Sequence, residues 1–224
     1  MRIFTTKPFS STGTILLVQV LVILLQTGLS YTLTLGRLAF IAPIFTHNYL
    51  FISWLIIKLL VFLFCLIFLL TKRVDSLFRS IYLMNLVLTI SLVVSSINLV
   101  DILVGYPGGQ PLRLFADVFS LAITNVLIFS IWYWIIDPPG IDEKKPSLAN
   151  WEFLFPQRAT MVPGYENWIP GFADYLHLAF TTSLAFTPTD APPLSRKAKM
   201  LMIFQSSLSV ITMVIIVGRI INSF

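Results

Sequence analysis

The chain has little charge, and that scarcity excludes most classes of soluble protein. Only 11% of its 224 residues are charged and 57% are hydrophobic, whereas soluble domains carry roughly 25% charged residues. A chain of this composition is expected to have the lipid bilayer as its solvent. Its net charge of +5 does not come from basic residues interleaved with aromatic ones in a soluble region, so nucleic-acid binding is not expected.

Cysteine and histidine are almost absent as well. The single cysteine, Cys65, cannot form an intramolecular disulfide, and the sequence holds only two histidines. It contains no CxxC, HExxH, GxSxG or glycine-rich phosphate loop, which are the usual marks of metal, hydrolase and nucleotide sites. We therefore predict no enzyme activity, no bound metal and no cofactor, and we interpret Cys65 as a packing residue.

Long apolar runs dominate what is present. Because about 20 apolar residues cross a bilayer, five runs qualify or come close: residues 15–33, 50–70, 81–103, 114–136 and 200–221. They predict an all-α polytopic membrane protein with four to five transmembrane helices. We divide it into an N-terminal region of about three spans, residues 1–110, and a second region, residues 111–224.

The N-terminus permits two interpretations. Arg2 and Lys7 precede an apolar run, as in the charged and hydrophobic regions of a signal peptide. The apolar residues nevertheless continue past Ser30, and the cleavage-site pattern of small residues is poorly met. We therefore favour an uncleaved first membrane helix.

The segment from Phe172 to Arg196, just before the last run, is unusual for a membrane protein. Its first residues have apolar side chains at helical spacing, which predicts about three turns, too short to cross: Phe172, Tyr175, Leu176, Ala179 and Phe180. We expect Thr181 to Ser183 to weaken the helix, and Pro188 forbids its continuation. We predict a re-entrant helix followed by a non-helical run, which the bilayer tolerates only where protein buries it or where it lines a watery cavity.

This layout resembles the pore module of the potassium-channel superfamily over residues 114–224. Phe180, Thr181 and Thr182 match its F-T-T motif, and Asp190 matches its aspartate. The whole unit also resembles a group of bacterial channel-like membrane proteins. The resemblance implies a multi-pass protein of a bacterial plasma membrane, a homotetramer, and passage of monovalent cations. The implied path is lined by Thr181, Thr182, Ala185, Phe186, Thr187, Pro188, Thr189 and Asp190.

The centre of this segment departs from the family pattern. Where those channels carry T-V-G-Y-G, residues 185–189 read A-F-T-P-T, with neither glycine. Glycine reaches the left-handed backbone states of a potassium filter cheaply, whereas threonine and proline do not. We therefore expect a channel without potassium selectivity. The alternative is a non-conducting membrane scaffold that keeps the pore-module fold to bind partners.

Three of the polar residues inside the predicted spans are candidates for function: Lys58, Asp117 and Gln205. Ionisable residues within a membrane are candidates for function, and Lys58 and Asp117 are candidates for an interhelical ion pair. Alternatively, Lys58 snorkels to the surface and Asp117 pairs with Arg113 one turn away. Gln205 either faces a pore or bonds neighbouring helices together. His177 is interpreted as structural.

The orientation in the membrane is left open by two conflicting arguments. The channel resemblance places the long loop, residues 137–199, outside the cell. Lys72 and Arg73 are then outside too, which violates the positive-inside rule. That rule places the same loop in the cytoplasm.

Overall fold

The protein is described by a computed structural model that covers residues 9–38, 45–105, 111–137, 151–159, 164, 168–185 and 191–221. Seven helices occupy these ranges: α1 Phe9–Leu38, α2 Phe45–Leu70, α3 Val74–Gly105, α4 Pro111–Ile136, α5 Pro156–Ala159, α6 Phe172–Ala185 and α7 Arg196–Ile221. The β-pairing seen in this part of the chain is one isolated bridge between Phe153 and Pro193. The prediction of an all-α fold is confirmed.

Four of the helices are long and apolar enough to cross a bilayer. Their spans are Thr12–Leu33, Ile52–Leu70, Val74–Asp101 and Phe115–Ile136. These spans confirm a multi-pass membrane protein. The fifth predicted span corresponds to α7, whose 26 residues give it a length of about 39 Å.

The third helix begins seven residues earlier than expected, at Val74 instead of residue 81. A tight turn makes this possible, because Lys72 adopts a left-handed conformation with φ of 53° and Arg73 N–H donates to the Phe68 carbonyl at 3.2 Å. The sequence has no glycine at this position that would indicate such a turn. The turn makes α2 and α3 an antiparallel hairpin.

Glutamines spaced by seven residues attach α1 to α3. The side-chain amide of Gln19 donates to the Ile81 carbonyl at 3.2 Å, and that of Gln26 donates to the Leu88 carbonyl at 2.9 Å. The constant offset of 62 residues shows that the two helices run parallel. Both glutamines are fully buried, so α1 packs as part of the bundle.

Helix α4 forms the centre of the bundle. Of its apolar span 67% is buried, against 11% for α2. It meets α1 where Thr32 donates to the Asp117 carboxylate at 2.6 Å, and it runs antiparallel to α1 because α1 is parallel to α3. It is also antiparallel to α3, where the Phe78 and Trp134 rings stack at 5.6 Å and Asn85 donates to the Ile128 carbonyl at 3.3 Å.

These directions place one set of helix ends on the same side. We call this side the cap rim: it contains the turn Thr71–Arg73, the end of α4 at Asp137, the starts of α6 and α7, and the segment Trp151–Ala159. The opposite ends of α1, α3 and α4 form the far rim. The segment Trp151–Ala159 covers the end of α4 and is called the cap.

Candidate functional site

Helix α6 is the element that the sequence singled out, and it lies along α4 and α7. It begins at Phe172, where the Asp174 carboxylate accepts from the Gly171 N–H at 2.7 Å. A carboxylate at this end also suits the positive pole of the helix dipole. With 14 residues, the helix is about 21 Å long, which is too short to cross the membrane.

The helix continues further than the sequence indicated. Thr181, Thr182 and Ser183 were expected to weaken it, yet they lie within α6, which ends at Ala185. Each threonine hydroxyl bonds back to its own helix: Thr181 donates to the Leu178 carbonyl at 3.1 Å, and Thr182 to the same carbonyl at 2.7 Å. The hydroxyls are thereby satisfied without leaving helical geometry.

The contacts of α6 show how deep it reaches. Near its start, the Tyr175 hydroxyl donates to the Asp137 carboxylate at 2.7 Å, at the cap rim. Near its end, the Ser183 and Ser209 hydroxyls lie 2.8 Å apart, and Asn125 donates to Ser209 at 2.8 Å. Asn125 is near the middle of the apolar span Phe115–Ile136. Helix α6 therefore enters at the cap rim and ends near the middle of the bundle.

The chain is back at the cap rim a few residues later. Leu154 N–H donates to the Pro192 carbonyl at 3.1 Å, and Leu194 N–H donates to the Glu152 carbonyl at 2.8 Å. Ser195 bonds the Glu152 carboxylate and accepts from Ala198 N–H at 3.1 Å, which caps the start of α7. The chain thus enters and leaves the bundle on one side, as expected of a re-entrant segment.

Buried polar side chains join α4, α6 and α7 between the cap rim and the middle of the bundle. We call them the midplane polar cluster: Asn125, Tyr133, Ser183, Gln205 and Ser209. The Gln205 amide nitrogen donates to the Ala179 carbonyl at 2.8 Å, and the Gln205 amide oxygen accepts from the Tyr133 hydroxyl. All five residues are buried, so the cluster fastens α6 to both of its neighbours.

The predicted path residues fall into three groups. Thr182 is buried against the protein at 1% exposure, whereas Thr181 is half-buried and Ala185 exposed. Phe186, Thr187, Pro188, Thr189 and Asp190 lie outside the described residues. Gln205 links neighbouring helices of one chain, because its amide oxygen bonds Tyr133 of α4 and its amide nitrogen bonds Ala179 of α6.

The other side of α6 is apolar and uncovered. Phe180 is 52% exposed and Leu184 is 63% exposed. The last four carbonyls of an α-helix have no partner within the helix. At the end of α6 these carbonyls lie at membrane depth, where hydrocarbon cannot satisfy them.

The cap is fixed to α4 by a buried carboxylate that the sequence analysis did not single out. Asp137 is fully buried and directly follows α4. One of its oxygens accepts from the Glu152 and Phe153 N–H groups, at 2.9 and 3.3 Å. The other accepts from Arg158 at 2.8 Å and from the Tyr175 hydroxyl at 2.7 Å.

Aromatic rings enclose this ion pair. The Arg158 guanidinium lies over the Trp151 ring at 5.4 Å and over the Phe155 ring at 5.6 Å. Phe155 in turn meets the Tyr175 ring edge-on at 5.6 Å. Burial, followed by the adjacent Asp137 carboxylate, raises the pKa of the Tyr175 phenol well above 10.0, so the hydroxyl stays a proton donor. No sequence motif marks the pair, because its members are 21 residues apart.

Lys58 and Asp117 occupy different levels of the bundle. Because α2 and α3 are joined at Lys72, Lys58 is level with Leu86, which is equally far from the turn. Thr32 bonds Asp117, and the 62-residue offset between α1 and α3 places Thr32 level with residue 94 of α3. The difference of eight residues is about 12 Å along the axis, too far for the predicted ion pair. Lys58 is only 3% exposed, so its side chain is covered by the protein.

The described residues contain no group of three or more His, Cys, Asp or Glu side chains that could hold a metal ion. The midplane polar cluster offers neutral oxygen atoms from hydroxyls and carboxamides, and the carboxyl end of α6 adds backbone carbonyls. No family model, curated protein or solved structure matches this chain.

Proposed function

We propose that this protein is an ion-channel-like membrane protein in which the carboxyl end of α6 borders a water-filled path for monovalent cations. The observation that carries the proposal is the half-membrane helix: α6 begins beside Asp137 and ends beside Ser209. The carboxyl end of a helix carries a partial negative charge. Placed at the middle of a bilayer, it favours a cation and needs water or protein to satisfy its carbonyls.

The path is expected to form between copies of the chain. Phe180 and Leu184 leave apolar side chains exposed on the outer face of α6, and α7 also exposes apolar side chains at Met200 and Ile203. A neighbouring copy that covers this face brings the carboxyl ends of its α6 helices toward a common axis. The number of copies, four by resemblance to potassium channels, belongs to this proposal.

Cross-linking tests the assembly. In a Cys65→Ala background, a Leu184→Cys variant is expected to form disulfide-linked dimers on mild oxidation, because symmetry brings the α6 ends together. Phe119→Cys is the matched control, since Phe119 is similarly exposed (59%) but lies on α4. Equal cross-linking of the two variants, or a monomeric protein, would refute the proposed assembly.

Flux measurements test conduction. Liposomes with the purified protein are expected to take up thallium ions above the level of empty liposomes, and Thr187→Ala or Asp190→Asn should change that uptake. Phe119→Ala should leave it unchanged. If uptake equals that of empty liposomes while the cross-linked assembly forms, conduction is disproved.

A non-conducting scaffold is the second candidate, and the midplane polar cluster favours it. Gln205 and Ser209, which line the pore in a channel of this layout, are committed to bonds with Tyr133, Ala179 and Ser183 of the same chain. Assembly without flux is the result that this candidate predicts.

A further inference from the structure

Cationic side chains are concentrated at the cap rim. Six of them are exposed there, and together we call them the basic collar: Lys72, Arg73, Arg79, Arg196, Lys197 and Lys199. Arg158 is on the same side but is buried with Asp137. The exposed or half-buried carboxylates described near this rim are those of Asp75, Glu152 and Asp174. Six cations against three carboxylates leave a positive excess among the described residues of this rim.

The collar forms a band across the bundle. Ring contact between Phe78 and Trp134 places Arg79 one residue from the level of Trp134. The bond between Tyr133 and Gln205 places Gln205 at about the same level, so the start of α7 lies about nine residues further toward the cap side. Counted at 1.5 Å per residue, the six cations lie within a depth of about 14 Å. Long cationic side chains bend readily toward the headgroup layer, so all six can reach it.

We propose that the basic collar is a binding surface for the phosphate groups of anionic phospholipids, and that the cap rim faces the cytoplasmic leaflet. Anionic headgroups supply the charge that the described residues of the rim lack. Among the Lys and Arg residues of the described helices, three lie toward the opposite ends by their position in the chain: Arg37, Arg113 and Arg219. The excess of Lys and Arg at the cap rim therefore sets the orientation. Helix α6 then enters from the cytoplasmic side, the reverse of potassium channels. The inference does not depend on conduction.

Lipid retention tests the surface. Purified protein is exchanged into mixed micelles of phosphatidylglycerol and phosphatidylcholine, and bound lipids are counted by native mass spectrometry. The wild type is expected to retain phosphatidylglycerol preferentially. Arg196→Gln/Lys197→Gln/Lys199→Gln should weaken this preference by about fivefold for each cation removed, which corresponds to about 1 kcal/mol.

A charge-conserving variant is the matched control. Arg196→Lys/Lys197→Arg/Lys199→Arg should retain the lipid preference of the wild type, because an electrostatic surface needs the charges and not the particular side chains. If the glutamine variant binds phosphatidylglycerol as the wild type does, or if no preference exists at low salt, the surface is disproved.

Cysteine labelling tests the orientation independently. In the Cys65→Ala background, Thr71→Cys at the cap rim should resist a membrane-impermeant maleimide in intact cells and react after lysis. Asp101→Cys, near the far rim, should react in intact cells. The reverse pattern overturns the orientation and with it the proposal.

Discussion

Replacing Asp137 by asparagine should remove a large fraction of the stability of the cap. Both carboxylate oxygens accept two hydrogen bonds each: one from two backbone N–H groups, the other from Arg158 and Tyr175. An asparagine side chain has nearly the same shape as an aspartate, but an NH₂ group replaces one of the two acceptor oxygens and faces hydrogen-bond donors there. Whichever way the amide turns, two bonds are lost.

The magnitude follows from the burial of Arg158. The side chains of Arg158 and Asp137 are 3% and 0% exposed, so Asp137→Asn leaves a buried guanidinium without its counter-charge. Breaking one partner of a buried pair costs about 3–5 kcal/mol, compared with about 5–15 kcal/mol for the stability of a whole protein. Asp174→Asn is the matched control: this carboxylate is only half-buried and bonds one backbone N–H, so we expect a loss of about 1 kcal/mol or less.

Unfolding of the detergent-solubilised protein by SDS, followed by circular dichroism, measures both losses. A double variant, Asp137→Leu/Arg158→Met, removes both charges together and should recover much of the loss, because burying neither ion avoids the desolvation cost. If the losses of the single variants Asp137→Leu and Arg158→Met add in the double variant, the coupling between the residues is absent and the reasoning is wrong.

Three further predictions concern the polar contacts. Gln205→Leu should destabilise the protein by about 1–3 kcal/mol, because it leaves the buried Tyr133 hydroxyl without its acceptor, and protease cleavage within α6 should increase. Gln26→Leu should cost clearly less in the same SDS titration, since the Gln26 amide oxygen already lacks a partner among the described residues. Raising the pH above 10 should lower stability, because the pKa of Tyr175 is raised in the folded state only. A Tyr175→Phe variant should reduce this pH dependence; an unchanged profile in a pH-dependent unfolding series would contradict the assignment.

The sequence predicted the elements well where hydrophobic periodicity alone decides them. The runs 15–33, 50–70 and 114–136 lie within α1, α2 and α4. The early start of α3 was missed because the turn depends on a left-handed Lys72, a conformation that lysine rarely adopts. The extension of α6 through Ala185 was missed for a different reason. Serine and threonine weaken helices in water, but here their hydroxyls find acceptors inside the bundle.

The site was only partly predictable. The depth of α6 was inferred from one short helical pattern, and the contacts of Ser183 agree with it. The Asp137–Arg158 pair could not be inferred, because it joins a helix end to a loop through the folded geometry of three segments. The sequence shows that Gln205 is a polar residue within a span. Whether its side chain faces a cavity or bonds a neighbouring helix depends on the position of α6, which the sequence does not show.

The position of α2 has a consequence for how the gene tolerates mutation. Most of its span faces away from the protein, and Lys58 and Cys65 are its fully buried residues among those described. Exchange of one apolar side chain for another on the outer face should therefore be nearly neutral, since the lipid surrounding it adapts to shape. In a saturation-mutagenesis screen for surface expression, α2 should tolerate such exchanges everywhere except along one seven-residue repeat, whereas α4, of whose span 67% is buried, should tolerate them at far fewer positions.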